Sequence, residues 1–351
     1  MNKYNIDGHK MQYHLDRVHQ WQHGDARKVF PIYVEVSPVG YCNHRCAFCA
    51  VDYLGYKRYK LDTLTLKHNL MSMGNNGVRS VMFAGEGEPL LHPDIAELTT
   101  WASKNLLDVA ITTNGVPMSK KFSDEALESL TWIKISCNAG DAHTYSKIHG
   151  CSQKDWHKVW KNIDYAVRLR DKLKLKTTIG VQAVLLPDNA KSMNGLAHQC
   201  KVSGVDYLVV KPYSQHLSSL THEYEGINYG ESYDKYLNAL KMYASSKFEV
   251  ITRHDSIEDW NTKARSYDTC PSVPYFWAYV MSTGDVYTCS AFLGDKKFCI
   301  GNINDTIFQR IWRERPLDIV NTANCRQNCR MHHINEYLWD ITHPTEHKNF
   351  I

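Results

Sequence analysis

The sequence predicts an α/β protein with a parallel sheet, followed by a small cysteine-rich α+β segment. Three observations predict it. From residue 31 onward, short β-branched or aromatic runs alternate with longer stretches of helical apolar spacing. Glycines, small polar residues and cysteines gather where those runs end. From Cys270 the texture changes to one rich in Gly, Asn, Cys and aromatics.

In chain order, residues 1–30 are polar, aromatic and His-rich without a clean period, and read as an N-terminal extension packed on the main domain. Six strands are expected at 32–36, 78–83, 109–112, 132–135, 178–184 and 207–210. Between them, Leu66, Leu70 and Met73, then Trp156, Val159, Trp160, Ile163 and Val167, then Met193, Leu196, Ala197 and Cys200 recur at helical spacing. A further helix carries Tyr233, Tyr236, Leu237 and Leu240, with a short strand at 248–252 after it. Strand–helix alternation of this kind covers both faces of a parallel sheet. It does not distinguish a closed barrel from an open sheet, but in either case ligands collect at the carboxyl ends of the strands. The sequence divides into an extension at 1–30, a main domain at 31–254 and a second domain at 255–351. The second opens on a hairpin signal, Gly284-Asp285 between alternating strands.

The 351 residues, 43% hydrophobic and 22% charged, suit about two globular domains. No apolar run approaches the roughly 18 residues of a membrane span. The polar start lacks an apolar signal core, so a cytoplasmic protein is expected. Eleven cysteines in a reducing compartment point to metal rather than disulfides. A net charge of +4, without a concentrated basic face, argues for neither nucleic acid nor membrane as a partner.

The first strand runs into Cys42, Cys46 and Cys49, spaced by three and then two residues. A structural zinc wants four ligands, and the nearest other cysteine is the distant Cys137. Three local thiolates suit an iron–sulfur cluster with one iron left open. This spacing resembles the signature of the radical S-adenosylmethionine (radical SAM) superfamily. The resemblance selects an open, six-unit partial (βα)6 barrel. It implies a 4Fe-4S cluster on these cysteines, whose open iron chelates the amino and carboxylate groups of S-adenosylmethionine.

After the second strand, Gly85, Gly87, Glu88 and Pro89 resemble the superfamily's Gly-Gly-Glu-Pro motif, which contacts the amino group of S-adenosylmethionine; Glu86 stands between as a second acid. Thr113 and Asn114 end the third strand, and Ser136 and Asn138 the fourth. The resemblance makes them candidates for holding the ribose and carboxylate. Gln182 and Lys211, on strands five and six, point toward the same mouth. Lys211 either meets an anionic substrate group or ends its strand in water.

In the C-terminal segment, Cys270, Gly284 and Cys289 are spaced like the opening of SPASM and shorter twitch domains, and Cys325 and Cys329 follow. That resemblance implies a second, auxiliary 4Fe-4S cluster on Cys270, Cys289, Cys325 and Cys329, with the shorter twitch form the better fit. A structural zinc at the same four thiols is the alternative. The last pair is spaced by three residues where the twitch usually has two, which leaves Cys299 open as a replacement. Cys200 reads as core; Cys137 is either a hydrogen-atom donor or a plain buried thiol.

The resemblance implies reductive cleavage of S-adenosylmethionine and hydrogen abstraction from a substrate, with electrons from a donor such as flavodoxin or ferredoxin. The expected reaction is oxidation or epimerisation of a carbohydrate- or cyclitol-like small molecule. Lys211, Cys137 and Tyr53 are the catalytic candidates, with His216 and Arg253 also open. A peptide-modifying maturase is the alternative, and a non-catalytic zinc protein binding nucleic acid is the reading from another class.

Overall fold

The computed structural model describes residues 3–350 except 7, 254–256, 258–264, 318–319 and 326–328. The expected domain boundary at 254/255 lies outside the described residues. Among the described residues, ten strands form one sheet, in the order β10-β9-β8-β1-β2-β3-β4-β5-β6-β7. Seven are parallel neighbours in sequence order: β1 (Tyr33–Val36), β2 (Ser80–Phe83), β3 (Asp108–Thr113), β4 (Trp132–Ser136), β5 (Thr178–Leu185), β6 (Tyr207–Pro212) and β7 (Glu249–Thr252). The helices between them are α2 (Thr63–Asn75), α3 (Ile95–Lys104), α4 (Lys120–Ala126), α5 (Ala142–His149), α6 (Gln153–Leu173), α7 (Met193–Ser203) and α8 (Glu231–Leu240), with α1 (Leu15–His23) ahead of β1. The sheet ends at β7 on one side and β10 on the other, so among the described residues no backbone pairing closes the barrel.

Strand alternation sorts the side chains. Val34, Val36, Val81, Phe83, Ile111, Ile133, Ile135, Val181 and Leu208 face the helices and share one apolar core with Leu66, Leu70, Leu98, Val159, Ile163 and Leu196. Each such side chain contributes roughly 1.5–3 kcal/mol by leaving water. The opposite, inner face carries a different mixture: Tyr33, Met82, Ala84, Ala110 and Trp132 pack together, while Glu35, Lys134, Ser136, Gln182 and Lys211 supply polar groups at the other inward positions. Several helices start on side-chain caps; Asp62 accepts from Thr65 N at 2.8 Å and Asp141 from Thr144 N at 2.8 Å.

The C-terminal segment does not stand apart from this sheet. β8 (Trp277–Val280) pairs in parallel with β1, in register Tyr33 to Trp277 through Val36 to Val280. β9 (Asp285–Tyr287) then pairs antiparallel with β8, and β10 (Cys299–Asn302) antiparallel with β9. The predicted Gly-Asp turn is present, with Gly284 at φ +88° and its N–H on Met281 O at 2.9 Å. Two short helices follow, α9 (Phe308–Glu314) and α10 (His332–Thr342). Arg315 is fully buried and ties the segment to the extension: it donates to the carbonyls of Pro274, Trp312, Ala26 and Val29 at 2.5–3.2 Å.

The extension also fills the amino-terminal end of the inner face. Tyr4 and Ile6 pack on Tyr207, Val209 and Ile251, with the Tyr4 and Tyr207 ring centres 5.1 Å apart. Gly180 makes room, since a Cβ there would lie 2.1 Å from the Tyr207 ring. Gly180→Ala should therefore cost about 1–3 kcal/mol through overpacking, read as a lower urea midpoint at unchanged m-value.

Candidate active site

The cysteine loop leaves β1 without regular structure and is held by its neighbours. Arg45 N donates to His149 O at 3.1 Å and Ala47 N to Ile148 O at 2.9 Å, so the loop lies along the last turn of α5. Gly150 permits this approach: it sits at φ +55°, and a Cβ on it would stand 2.3 Å from Arg45 O. The Arg45 guanidinium donates to the carbonyls of Cys42 and His44 at 2.8 and 2.7 Å, and covers the Tyr56 ring 4.1 Å away. Asp52, just beyond the loop, accepts from Ser219 Oγ, Leu220 N and Thr221 N at 2.9–3.1 Å, fastening the segment that follows β6.

Donors surround the three sulfurs. Cys42 Sγ lies 3.4 Å from His44 N and 3.9 Å from Asn114 Nδ2; Cys46 Sγ lies 3.4 Å from His149 Nδ1; and Tyr56 hydrogen-bonds Cys49. Burial pushes each thiol up, Cys42 to about 11, and neighbouring thiols raise Cys42 and Cys46 further. Three half-buried thiols pushed up by burial, with N–H and O–H groups aimed at sulfur, suit a cationic centre that would hold them as thiolates. Among the described residues they do not converge within 4.8 Å as a set. Ligands of one zinc, about 2.3 Å from the metal, would sit closer, so the donor set fits the larger core of an iron–sulfur cluster.

Beside the loop, the glycines of the second motif are sterically required. Gly85 is at φ +119°, where a Cβ would meet Tyr279 Oη at 2.3 Å; a Cβ on Gly87 would meet Val39 O at 2.4 Å and Tyr41 O at 2.5 Å. The inserted Glu86 accepts from Ser282 N at 2.6 Å, which joins the motif to the β8–β9 turn. Glu88 accepts from Leu90 N, Thr113 Oγ1 and Asn114 N at 3.1, 2.5 and 2.7 Å, and burial pushes it up to about 7 against those bonds. Pro89 starts the short turn that follows. Asn114 Nδ2 also donates to Asn43 Oδ1 at 2.8 Å. Glu88, Thr113, Asn114 and the cysteine loop thus form one connected network.

The remaining candidates separate. Ser136 and Gln182 are register partners on the inner face of β4 and β5, and Lys211 follows on β6. Asn138 is buried and its amide is engaged within the protein: Oδ1 accepts from Val184 N at 2.6 Å and Nδ2 reaches His149 Nε2 at 3.1 Å. Cys137 belongs to the helix-facing core, with no exposure and a thiol that burial pushes up to about 12. One residue beyond Ser136, it falls on the opposite side of the strand, which favours the plain buried thiol over the hydrogen-atom donor. Tyr53 stacks on His216 with ring centres 5.0 Å apart and donates to Leu293 O at 3.2 Å.

Sequence reasoning missed Lys134, Glu35 and Arg330. Glu35, buried on β1, pairs with Arg330, the residue after Cys329, and accepts from Tyr33 Oη at 3.3 Å. Lys134 sits on the inner face of β4, and burial with the nearby Arg330 and Arg253 charges pushes it down to about 8. A single charge at an inward position of the alternating run Trp132–Ser136 was the available signal.

In the second cysteine group, burial pushes the Cys270 thiol up and the adjacent Cys329 adds to this, while burial and then Cys329 and Cys270 push Cys325 up, which places the three thiols together. Cys270 Sγ accepts from Asn335 Nδ2 at 3.3 Å, and Cys329 Sγ from Met331 N at 3.4 Å. Cys289, Cys299 and Cys329 all pack against one cluster of Trp277, Tyr279, Met281, Tyr287, Leu293 and Met331. Cys299 lies opposite Tyr287 across the β9–β10 ladder. Cys200 is core, and Cys151 adjoins His44 and Asp155.

A parallel partial barrel with three thiols at its mouth, and a second thiol group stitched to its first strand, defines an iron–sulfur protein of the α/β-barrel class. The Radical SAM superfamily model matches residues 36–193, and the SPASM model, an iron–sulfur cluster-binding domain, matches residues 270–331; the chain belongs to the radical SAM superfamily and carries a C-terminal SPASM domain. Its cofactors are accordingly 4Fe-4S clusters and S-adenosylmethionine. GTP 3',8-cyclase of Chlorobaculum tepidum is 30% identical over 118 residues, 33% of this chain and 36% of that protein. The enzyme of Microcystis aeruginosa is 30% identical over 156 residues, 42% of this chain and 47% of that protein. The chain thus spans under half the length of these curated relatives. Streptococcus suis SuiB bound to its precursor peptide SuiA superposes with a TM-score of 0.65 at 19% identity, covering 87% of this chain and 69% of that chain. Native anSMEcpe with bound AdoMet gives 0.56 at 21%, covering 80% and 81%. At these identities the likeness shows the fold.

Gly150→Ala should push the cysteine loop off α5. Anaerobic reconstitution should then give less iron than the parent chain, with the deficit confined to the EPR signal that responds to S-adenosylmethionine.

Proposed function

We propose that this chain cleaves S-adenosylmethionine at a 4Fe-4S cluster on Cys42, Cys46 and Cys49, and oxidises or epimerises a small, polyhydroxylated, sugar- or cyclitol-like substrate. The observation that carries the reading is the placement of those three sulfurs at the carboxyl end of a sheet whose inner face is polar near the mouth. When bound, the cluster and S-adenosylmethionine supply a 5'-deoxyadenosyl radical that takes a hydrogen atom from the substrate. An external one-electron donor such as flavodoxin or ferredoxin serves the first cluster, in the cytoplasm. Among the described residues, no helix is long and apolar enough to cross a membrane.

The chain's own groups have distinct tasks in this reading. The glycines at 85 and 87 let the motif pack against Tyr279 and the Val39–Tyr41 backbone and so seat it beside the cofactor, while Glu88 fixes the Thr113-Asn114 turn beside Cys42. Asn138 acts as a support and leaves cofactor contact at that strand end to Ser136 and Gln182. Lys134 and Lys211 meet the substrate. Lys134, whose pKa of about 8 brings its neutral form within reach, accepts the proton released on oxidation. Cys270, Cys325, Cys329 and Cys289 would hold the second cluster, which would supply an acceptor for the electron lost on oxidation. Cys299 stands beside Tyr287 as the alternative fourth ligand.

Reduced, reconstituted protein should release 5'-deoxyadenosine from S-adenosylmethionine, and Cys42→Ala, Cys46→Ala and Cys49→Ala should each abolish that release. Continued release from those variants would remove the central assignment. Deuterated sugars or cyclitols should pass deuterium into 5'-deoxyadenosine; transfer from a peptide instead would make the chain a maturase. If Lys134 is the base, the rate of substrate oxidation should rise with pH through about 8, because the amine is the basic form and appears above its pKa. Lys134→Met should lose that limb and about 10²–10⁴-fold in rate, with S-adenosylmethionine cleavage retained.

A further inference from the structure

We infer that His149 donates a hydrogen bond from Nδ1 to the sulfur of Cys46, and so sets the reduction potential of the first cluster; this rests on the assignment of that cluster to Cys42, Cys46 and Cys49.

The proton inventory around the ring follows from the backbone. Val184 N can only donate, and it lies 2.6 Å from the Asn138 side-chain oxygen, which fixes the orientation of that amide. Asn138 Nδ2 is thereby turned to His149 Nε2 at 3.1 Å, and the Asn138 backbone N–H points to the same nitrogen at 3.2 Å. Two donors on Nε2 require its lone pair there. In the neutral imidazole the proton is then on Nδ1, the atom that stands 3.4 Å from Cys46 Sγ.

The ring has little freedom to turn away. It stacks on Tyr145 with centres 4.1 Å apart and meets His44 and Phe48 edge-on at 5.4 and 5.7 Å. His149 is 1% exposed, so water does not compete for the bond. His44, Cys46 and His149 also bring ligand atoms within 4.8 Å of one another, the arrangement of a single-ion site. A proton on Nδ1 removes the lone pair that such an ion would need on the side facing sulfur.

A donor to a ligating sulfur stabilises the negative charge that arrives with an added electron, and so raises the potential of the cluster. The signal for this residue does not lie in the cysteine motif. His149 is the last residue of α5, and its tautomer is set by the ends of β4 and β5.

The test is EPR-monitored redox titration of the reconstituted full chain, following the signal that changes when S-adenosylmethionine is added. His149→Phe should make that cluster harder to reduce, lowering the reduction equilibrium by about tenfold, or 59 mV for a one-electron couple. The second cluster should not move. His149→Asn, whose amide nitrogen can occupy the Nδ1 position, should restore most of the shift. An unchanged potential in His149→Phe overturns the inference. A wild-type measurement guards against variants that fail to load: with histidine ¹⁵N-labelled only at the ring Nδ1, pulsed EPR of the reduced cluster should show a weak ¹⁵N coupling, and its absence overturns the inference. If Cys42→Ala, Cys46→Ala and Cys49→Ala variants keep the S-adenosylmethionine-responsive signal, the ligand assignment has failed instead.

Discussion

The parallel pairing of β8 with β1 is the constraint on which the rest of the structure depends. β1 delivers the first cysteine loop, and its free edge would be the exposed end of a parallel sheet whose other face is already buried by helices. β8 satisfies that edge and carries the second cysteine segment with it. Two further contacts cross the same seam: Glu86 of the glycine motif on the Ser282 amide, and Glu35 of β1 on Arg330. The second pair is a buried carboxylate held by a guanidinium, so its geometry is strongly specified even where its net contribution to stability is small. The relative position of the two cysteine groups is therefore set by sheet register and side-chain pairs rather than by a linker.

Much of this was legible in the sequence because the physical signals are local. A strand in a parallel sheet is a short apolar run, and each of the six expected runs appears within a few residues of its predicted limits. The three cysteines, the glycine motif and the Gly284 turn are recognisable because steric demand and ligand chemistry are written in consecutive residues. What was missed depends on contacts between distant segments. Nothing near Trp277 announces that it will pair with Tyr33, and Arg330 gives no sign of Glu35. Lys134 was hidden in an alternating strand whose inward side could not be known before the sheet was assembled.

Cys137 and Asn138 show how a strand-end position can mislead. Both stand one or two residues beyond Ser136, where ligand-binding groups gather. Strand alternation turns Cys137 into the helix layer, and the link between the ends of β4 and β5 consumes the Asn138 amide. Position at a mouth is a property of the chain; facing the mouth is a property of the side chain.

The packing of Tyr4 and Ile6 against Tyr207 has a consequence for traffic. It stoppers the inner face at the end remote from the cysteine loop. Among the described residues, a guest would reach the inner face from the loop side or through the open seam between β7 and β10, and not from the end that Tyr4 and Ile6 fill.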